Sequence, residues 1–124
     1  MINSNLFGVE NVLGKTLQVY SIRNEVIQNN IANVDTPGFK KSAVSFEDDL
    51  KVALRRNGLK NIDVSKVNPD IAVIEKGYAM RFDQNNVDID AENVQLYINA
   101  VRTDALANSV MANFRILNMA IMGR

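Results

Sequence analysis

The chain has 124 residues, with 14 basic and 14 acidic side chains, so its formal net charge is zero. A neutral chain has no electrostatic preference for nucleic acid or for an anionic membrane surface. Cysteine and histidine are both absent, which excludes disulfides and thiolate sites, removes the commonest general base and metal ligand, and disfavours an enzyme.

The first predicted element is a long helix over residues 6–34. Apolar residues recur in it every three or four positions, which is the spacing of a helical seam. Asn24 is the one polar residue of this seam, and such a residue can fix the register of packed helices. The predicted assembly positions on this helix are Leu6, Val9, Leu13, Leu17, Tyr20, Asn24, Ile27 and Ile31.

The helix is expected to end before Pro37, because the residue preceding a proline is disfavoured in the α conformation. Pro37 and Gly38 suit the two central positions of a type II turn, in which the second central residue needs a positive φ. The sequence therefore predicts a defined turn directly after the first helix.

Residues 40–90 are predicted to form a small central module. A short helix is expected over residues 45–57, with Ser45 and Asp48 as a capping box and Gly58 in a left-handed conformation at its end. Two β-prone runs, 71–74 and 78–82, suggest a β-hairpin.

A second long helix is predicted over residues 91–122, with Asp88 or Asp90 as its N-cap. Each terminal helix would span about 40–48 Å, which is too long for a compact globule of this size. The predicted fold is therefore mainly α, with the two long helices packed as a coiled-coil-like hairpin, and with divisions at 1–39, 40–90 and 91–124. The assembly positions on the second helix are Val94, Ile98, Val101, Leu106, Val110, Phe114, Leu117 and Ile121.

Charge is unevenly distributed along the chain. Of the 28 charged residues, 19 lie between Lys40 and Glu92, so the long helices are nearly free of ions. Either the helices form an ordinary hairpin with an uncharged outer face, or the outer faces also meet protein, where neutral amides avoid the desolvation cost of ions. We favour the second interpretation and expect the chain ends to become ordered only on assembly.

Charged clusters in the central part of the chain give little support for a catalytic or metal-binding site. The acidic run 47–49 suits the first turn of a helix, where it complements the helix dipole. The acidic stretch 83–92 lacks the glycine and glutamate that a calcium-binding loop requires at fixed positions. The basic pairs 40–41 and 55–56 have acidic neighbours and are interpreted as solvated surface. No metal or cofactor is predicted.

The segment at the end of the first helix resembles the signature of flagellar axial proteins, the rod, hook and related subunits. The stretch before the last helix, Asn85–Asp90, and the stretch Phe114–Ile121 are similar to the basal-body rod proteins of this group. Thr103-Asp104 departs from the family pattern, which has an aromatic residue followed by a polar one. The matching signature residues are Asn30, Ala32, Asn33, Asp35, Thr36, Pro37, Gly38 and Phe39.

The resemblance implies a structural subunit of the proximal rod, located in the flagellar basal body and exported unfolded by the flagellar type III apparatus without a cleaved leader. The implied partners are other copies of the chain, sister rod proteins, the rod-base adaptor protein and the export gate, with no nucleic acid and no direct membrane span. Its terminal helices would pack into a tube, and the signature would shape the junction between helix and outer module. A soluble helical adaptor or export chaperone is the alternative, and a small hydrolase is disfavoured.

Overall fold

The computed structural model describes residues 8–75 and 82–123. Two long helices run antiparallel, and a small module of one helix and two strands packs beside the first of them. This arrangement confirms the predicted fold class. The elements are α1 (Gly8–Ala32), β1 (Ser42–Ser45), α2 (Glu47–Asn61), a 3₁₀ turn (Val64–Lys66), β2 (Asp70–Val73) and α3 (Ile89–Met122).

The turn that follows α1 has the predicted form. Gly38 has a φ of +71°, and the backbone N–H of Phe39 donates to the carbonyl oxygen of Thr36 at 3.2 Å. A positive φ at the second central residue is the condition for a type II turn, and glycine meets it without steric strain. The end of α1 is therefore fixed by its local sequence.

The start of α2 differs from the prediction. Ser45 belongs to β1, and the N-cap position is occupied by Phe46, whose side chain makes no capping hydrogen bond. Phe46 is instead buried in the small core with Val19 and Val67. Core packing of an aromatic ring thus sets this helix start, and the predicted capping box is wrong. Gly58 has a positive φ as expected, although the helix resumes after it.

The strand predicted over 71–74 is present, but its partner lies elsewhere in the chain. β2 pairs antiparallel with β1, with Ser42 opposite Val73 and Ser45 opposite Asp70. The predicted partner run 78–82 lies outside the described residues except for Phe82, which is in a turn. β1 is a strand of four residues, and so short a sequence pattern does not predict which other strand pairs with it.

α3 begins and ends with local capping. The Asp88 side chain accepts hydrogen bonds from the backbone N–H groups of Asp90 and Ala91, and Gly123 closes the helix in a left-handed conformation. The predicted N-cap is therefore confirmed at Asp88. α3 has 34 residues, and α1 has 25 within the described part of the chain.

Two glycines of α1 should respond oppositely to alanine. A Cβ at Gly8 would lie 2.7 Å from the carbonyl oxygen of Leu59, whereas at Gly14 it would meet nothing within 4 Å. Gly8→Ala is expected to lower the free energy of unfolding by about 1–3 kcal/mol, and Gly14→Ala to raise it by up to about 1 kcal/mol through helix propensity. Urea denaturation measures both changes. An unchanged stability in Gly8→Ala would contradict the close approach of α1 to the end of α2.

Candidate assembly site at the helix pair and its junction

Asn30, near the end of α1, is buried and joins three elements. Its Nδ2 donates to the carbonyl oxygen of Ser42 at 2.9 Å and to Oε2 of Glu92 at 3.0 Å. Its Oδ1 accepts from the backbone N–H of Ser42 at 2.9 Å. A buried amide with every partner in place specifies one arrangement, because a misplaced chain would leave these groups unpaired. Asn30 therefore fixes α1 against both β1 and α3.

Asn85 connects the turn after α1 to the chain that leads into α3. It is fully buried, and its Nδ2 lies 2.9, 3.0 and 2.8 Å from the carbonyl oxygens of Asn33, Val34 and Thr36. Its Oδ1 accepts from the backbone N–H of Val87. These three carbonyls lie directly after the last residue of α1, so Asn85 holds the turn that follows α1 from a distant part of the sequence.

Asn86 and Glu92 extend the junction toward the strands. The Asn86 side chain accepts from the backbone N–H of Lys41 at 2.8 Å and donates to the carbonyl oxygen of Ile74 at 2.7 Å. Glu92 is buried, and its Oε1 lies 3.3 Å from Nζ of Lys41. The three buried asparagines and Glu92 thus hold the end of α1, both strands and the start of α3 in one cluster, here called the amide junction (Asn30, Asn85, Asn86 and Glu92).

Part of the predicted signature lies in this cluster. Asn30 is itself a member of the cluster. The carbonyls of Asn33 and Thr36 contact Asn85. The backbone N–H of Gly38 donates to the carbonyl oxygen of Asp83 at 2.8 Å. The side chains of Ala32, Asp35 and Pro37 are exposed, and Phe39 is half-buried. The sequence pattern placed Asn85 and Asn86 in the stretch before the last helix that resembles the rod proteins, but it did not predict their contacts. The pair of adjacent asparagines shortly before the N-cap aspartate, Asp88, was the sequence feature that could have indicated a buried amide cluster.

A bidentate ion pair fastens α1 to the start of α2. The two terminal nitrogens of Arg23 donate to the two carboxylate oxygens of Glu47 at 2.6 and 2.8 Å, and one of them also donates to the carbonyl oxygen of Val44. The guanidinium carbon lies 5.6 Å from the ring centre of Tyr20. Hydrogen bonding from Arg23 lowers the pKa of Glu47 below its usual value of 4.5.

The pH dependence of stability should reveal this pair. Because folding lowers the pKa of Glu47, its contribution is present at neutral pH and is lost as the pH falls below about 4.5. Glu47→Gln should therefore be less stable than the native chain at pH 7, by about 0.2–1 kcal/mol for a half-exposed pair, and equally stable near pH 3. Urea titrations at the two pH values measure this. A difference that persists at pH 3 would show that the charge of Glu47 is not responsible.

α1 presents two adjacent faces to the rest of the chain. Of its predicted seam, Ile27 is buried, Val9 is 44% exposed and the other described members are half-buried, while Leu6 lies outside the described residues. Leu17, Tyr20 and Asn24 line a groove with residues of α3. The other face carries Val19, which packs into the core of the central module. The predicted seam missed this second face because it follows a single row of residues.

The predicted stripe on α3 is only partly in contact with α1. The residues least exposed on α3 form a different row in its first half, and this row is rich in polar groups. Within it, Nδ2 of Asn99 donates to the carbonyl oxygen of Tyr20 at 2.9 Å. Asn99 thus makes a second amide contact between the helices, in addition to that of Asn30 with Glu92. The least exposed row is Glu92, Leu96, Asn99, Thr103, Leu106, Val110, Asn113 and Leu117.

Consequently, an apolar row lies on the outer side of α3. Val94 is 56% exposed, Tyr97 is 72% exposed and Val101 is 50% exposed. Phe114 and Ile121 of the predicted stripe are exposed as well, whereas Ile98, Leu106, Val110 and Leu117 are half-buried. We name Val94, Tyr97 and Val101 the outer row. A contiguous apolar surface of this kind usually marks a site of interaction with protein or membrane.

Neither a metal centre nor a membrane helix is evident in the part of the chain that the structure describes. No three acidic side chains there lie close enough together to hold a metal ion. None of the described helices combines the length and the apolar character needed to cross a bilayer.

Comparison with known proteins gives a consistent family. A family model described as "Flagella basal body rod protein" matches residues 11–40, which include most of α1 and the turn that follows it. The chain is 34% identical to the flagellar basal body rod protein FlgB of Borreliella burgdorferi, over 85% of this chain and 89% of the relative. It is 27% identical to FlgB of Bacillus subtilis, over 99% of this chain and 97% of the relative.

A more distant match widens the family relationship. The chain is 42% identical to the flagellar hook protein FlgE of Treponema pallidum, over 43% of this chain and 11% of the relative. The high coverage of the rod proteins is consistent with the fold of two long paired helices. The chain belongs to the FlgB family of flagellar basal-body rod proteins, which are structural components of the rod and not enzymes.

Proposed function

We propose that this chain builds the proximal rod by packing its terminal helices against those of other copies and of sister rod proteins. The observation that supports this most is the outer row on α3, which the fold of the single chain leaves half or more exposed. Burying a side chain such as Val101 or Tyr97 between subunits would contribute about 1.5–3 kcal/mol each. The helix pair of one subunit thus offers both a fixed geometry and a surface for the next.

The scarcity of charge supports the same role. Between residue 93 and residue 123 the only charged side chains are Arg102, Asp104 and Arg115. A helix that is to be surrounded by protein gains from this composition, because each buried ion would have to be desolvated or paired. Amide and hydroxyl side chains instead exchange hydrogen bonds with neighbouring helices at lower cost.

We further propose that the chain is exported unfolded through the flagellar type III apparatus and meets the export gate and the rod-base adaptor protein on arrival. The buried cluster that holds the central module is small, with Val19, Phe46 and Val67 at its centre. The chain has no cysteine, so no disulfide opposes unfolding. A small core is easily opened before export, and the amide junction gives the chain a defined way to close again afterwards.

Cross-linking in intact basal bodies tests the proposed function. A photoreactive residue placed at Tyr97 should give products with other copies of this chain and with sister rod proteins, and identification by mass spectrometry names them. A control probe at Asn29, an exposed position outside the outer row, should give fewer products. If the Tyr97 probe captured only one cytoplasmic protein, the alternative role as a soluble adaptor or export chaperone would replace the proposal.

A further inference from the structure

A groove of about 720 Å³ runs between α1 and α3 on the side away from the central module. Leu17 and Tyr20 contribute apolar surface to it, and the other lining residues are polar or small. Its lining includes Gly14, Ser21, Asn24, Asn99, Thr103 and Asp104. Two features of this groove have no explanation within the single chain.

The first feature is Gly14, which lies in the interior of α1. A glycine in a helix interior costs about 1 kcal/mol relative to alanine. Gly8 is required by the carbonyl of Leu59, but a Cβ at Gly14 would meet nothing within 4 Å. The fold of one chain therefore gives no reason for this glycine. A neighbouring helix that approaches closely would give one, because glycine permits the shortest distance between helix backbones.

The second feature is the side chain of Asn99. The residue is 3% exposed, and its Nδ2 is used by the carbonyl of Tyr20. Its Oδ1 is buried and has no hydrogen-bond partner among the described residues. A buried acceptor without a donor costs about 1–3 kcal/mol, so a donor brought into the groove would remove an existing cost.

We propose that this groove binds the C-terminal part of α3 from a second copy of the chain. The inference rests on the proposed function and specifies one contact of it. Many apolar side chains in the last turns of α3 are exposed. The exposed apolar residues of this part are Met111, Phe114, Ile116, Met119, Ile121 and Met122. Such a segment needs a cover, and a second copy is the partner that always accompanies it.

Charge and amide chemistry match between the groove and this occupant. Arg115 is the only charged residue between 105 and 123, and Asp104 lies at the groove. Neither forms an ion pair within the described part of the chain. Asn118 lies three residues after Arg115, on the same helix face, and its amide supplies the donor for Asn99. The C-terminal part of α3 thus supplies Arg115 as a partner for Asp104, and the amide of Asn118 as a donor for Oδ1 of Asn99.

Disulfide cross-linking between two single-cysteine variants tests this contact, since the native chain has no cysteine. Ser21→Cys and Asn118→Cys are co-expressed, and isolated basal bodies are oxidised. A dimer joined through these two positions is the expected product, and Lys51→Cys, on the exposed side of α2, should not replace Ser21→Cys in forming it. If the 21–118 product is absent while the Tyr97 probe still captures rod subunits, this inference fails and the proposed function stands. If both are absent, both fail.

A substitution at Gly14 supplies an independent test. A Cβ at position 14 meets nothing within 4 Å in the single chain, so Gly14→Leu should keep the native helix content, with a urea midpoint no lower than that of the native chain. In the assembly, the leucine side chain would clash with α3 of the second copy, so Gly14→Leu should lower incorporation into basal bodies about tenfold or more. Gln28→Leu, at an exposed position on the same helix, should incorporate normally. Equal incorporation of Gly14→Leu and Gln28→Leu would overturn the proposed occupancy.

Discussion

Replacing Asn85 with alanine is expected to lower the free energy of unfolding by about 3–5 kcal/mol. Asn85 is fully buried and serves three carbonyl oxygens and one backbone N–H. The alanine variant removes the amide N–H groups from the three carbonyl oxygens and leaves the backbone N–H of Val87 without its acceptor, and each buried group that loses a hydrogen bond costs about 1–3 kcal/mol. Urea denaturation measures the loss. Hydrogen exchange should become faster at the end of α1 and at the start of α3.

Asn29→Ala is the matched control for this variant. Asn29 is also an asparagine next to the end of α1, but its side chain is exposed, so its replacement should change stability by less than about 0.5 kcal/mol. If Asn85→Ala were as stable as Asn29→Ala, the amide junction would not hold the helices together. The signature turn would then depend on its own local sequence alone.

Replacing Val101 with aspartate should abolish assembly while leaving the single chain folded. Val101 is half exposed in the chain, so the change should cost less than about 1 kcal/mol of folding stability. Between subunits the new carboxylate would be desolvated without a partner, which should reduce incorporation into basal bodies by more than about tenfold. Circular dichroism and quantification of the subunit in purified basal bodies measure the two effects.

Val52→Asp provides the control for the outer row. Val52 lies on α2 and is 45% exposed, so it tests the same chemical change at a similar exposure outside the terminal helices. It should leave incorporation close to that of the native chain. Equal loss with Val52→Asp would indicate a general effect of added charge, and normal incorporation of Val101→Asp would exclude the outer row from the interface.

The two long helices and the turn between α1 and β1 could be predicted because their signals are local. Spacing of apolar residues extends over many turns in each helix, and Pro37-Gly38 admits few conformations. Asp88 likewise caps α3 through its own neighbours in sequence. Where several local preferences agree over a long segment, the sequence determines the element without tertiary information.

The remaining features depend on contacts between distant residues. Phe46 starts α2 because its ring packs with Val19, and a capping pattern cannot reveal that. The row by which α3 packs on α1 contains Asn99 and Thr103, so apolar periodicity alone could not reveal this intrachain contact in the first half of α3. Asn85 acts on carbonyls about 50 residues away. Its burial could not be inferred from polar residues that ordinarily favour turns.

Thiol labelling tests most directly whether the outer row becomes covered on assembly. Single-cysteine variants at Val94, Val101 and Lys51 can be labelled with a maleimide in the free chain and in isolated basal bodies, because no native cysteine competes. Positions 94 and 101 should react readily in the free chain and at least about tenfold more slowly in the basal body, while position 51 should react in both. Equal labelling of position 101 in the two states would contradict assembly through α3.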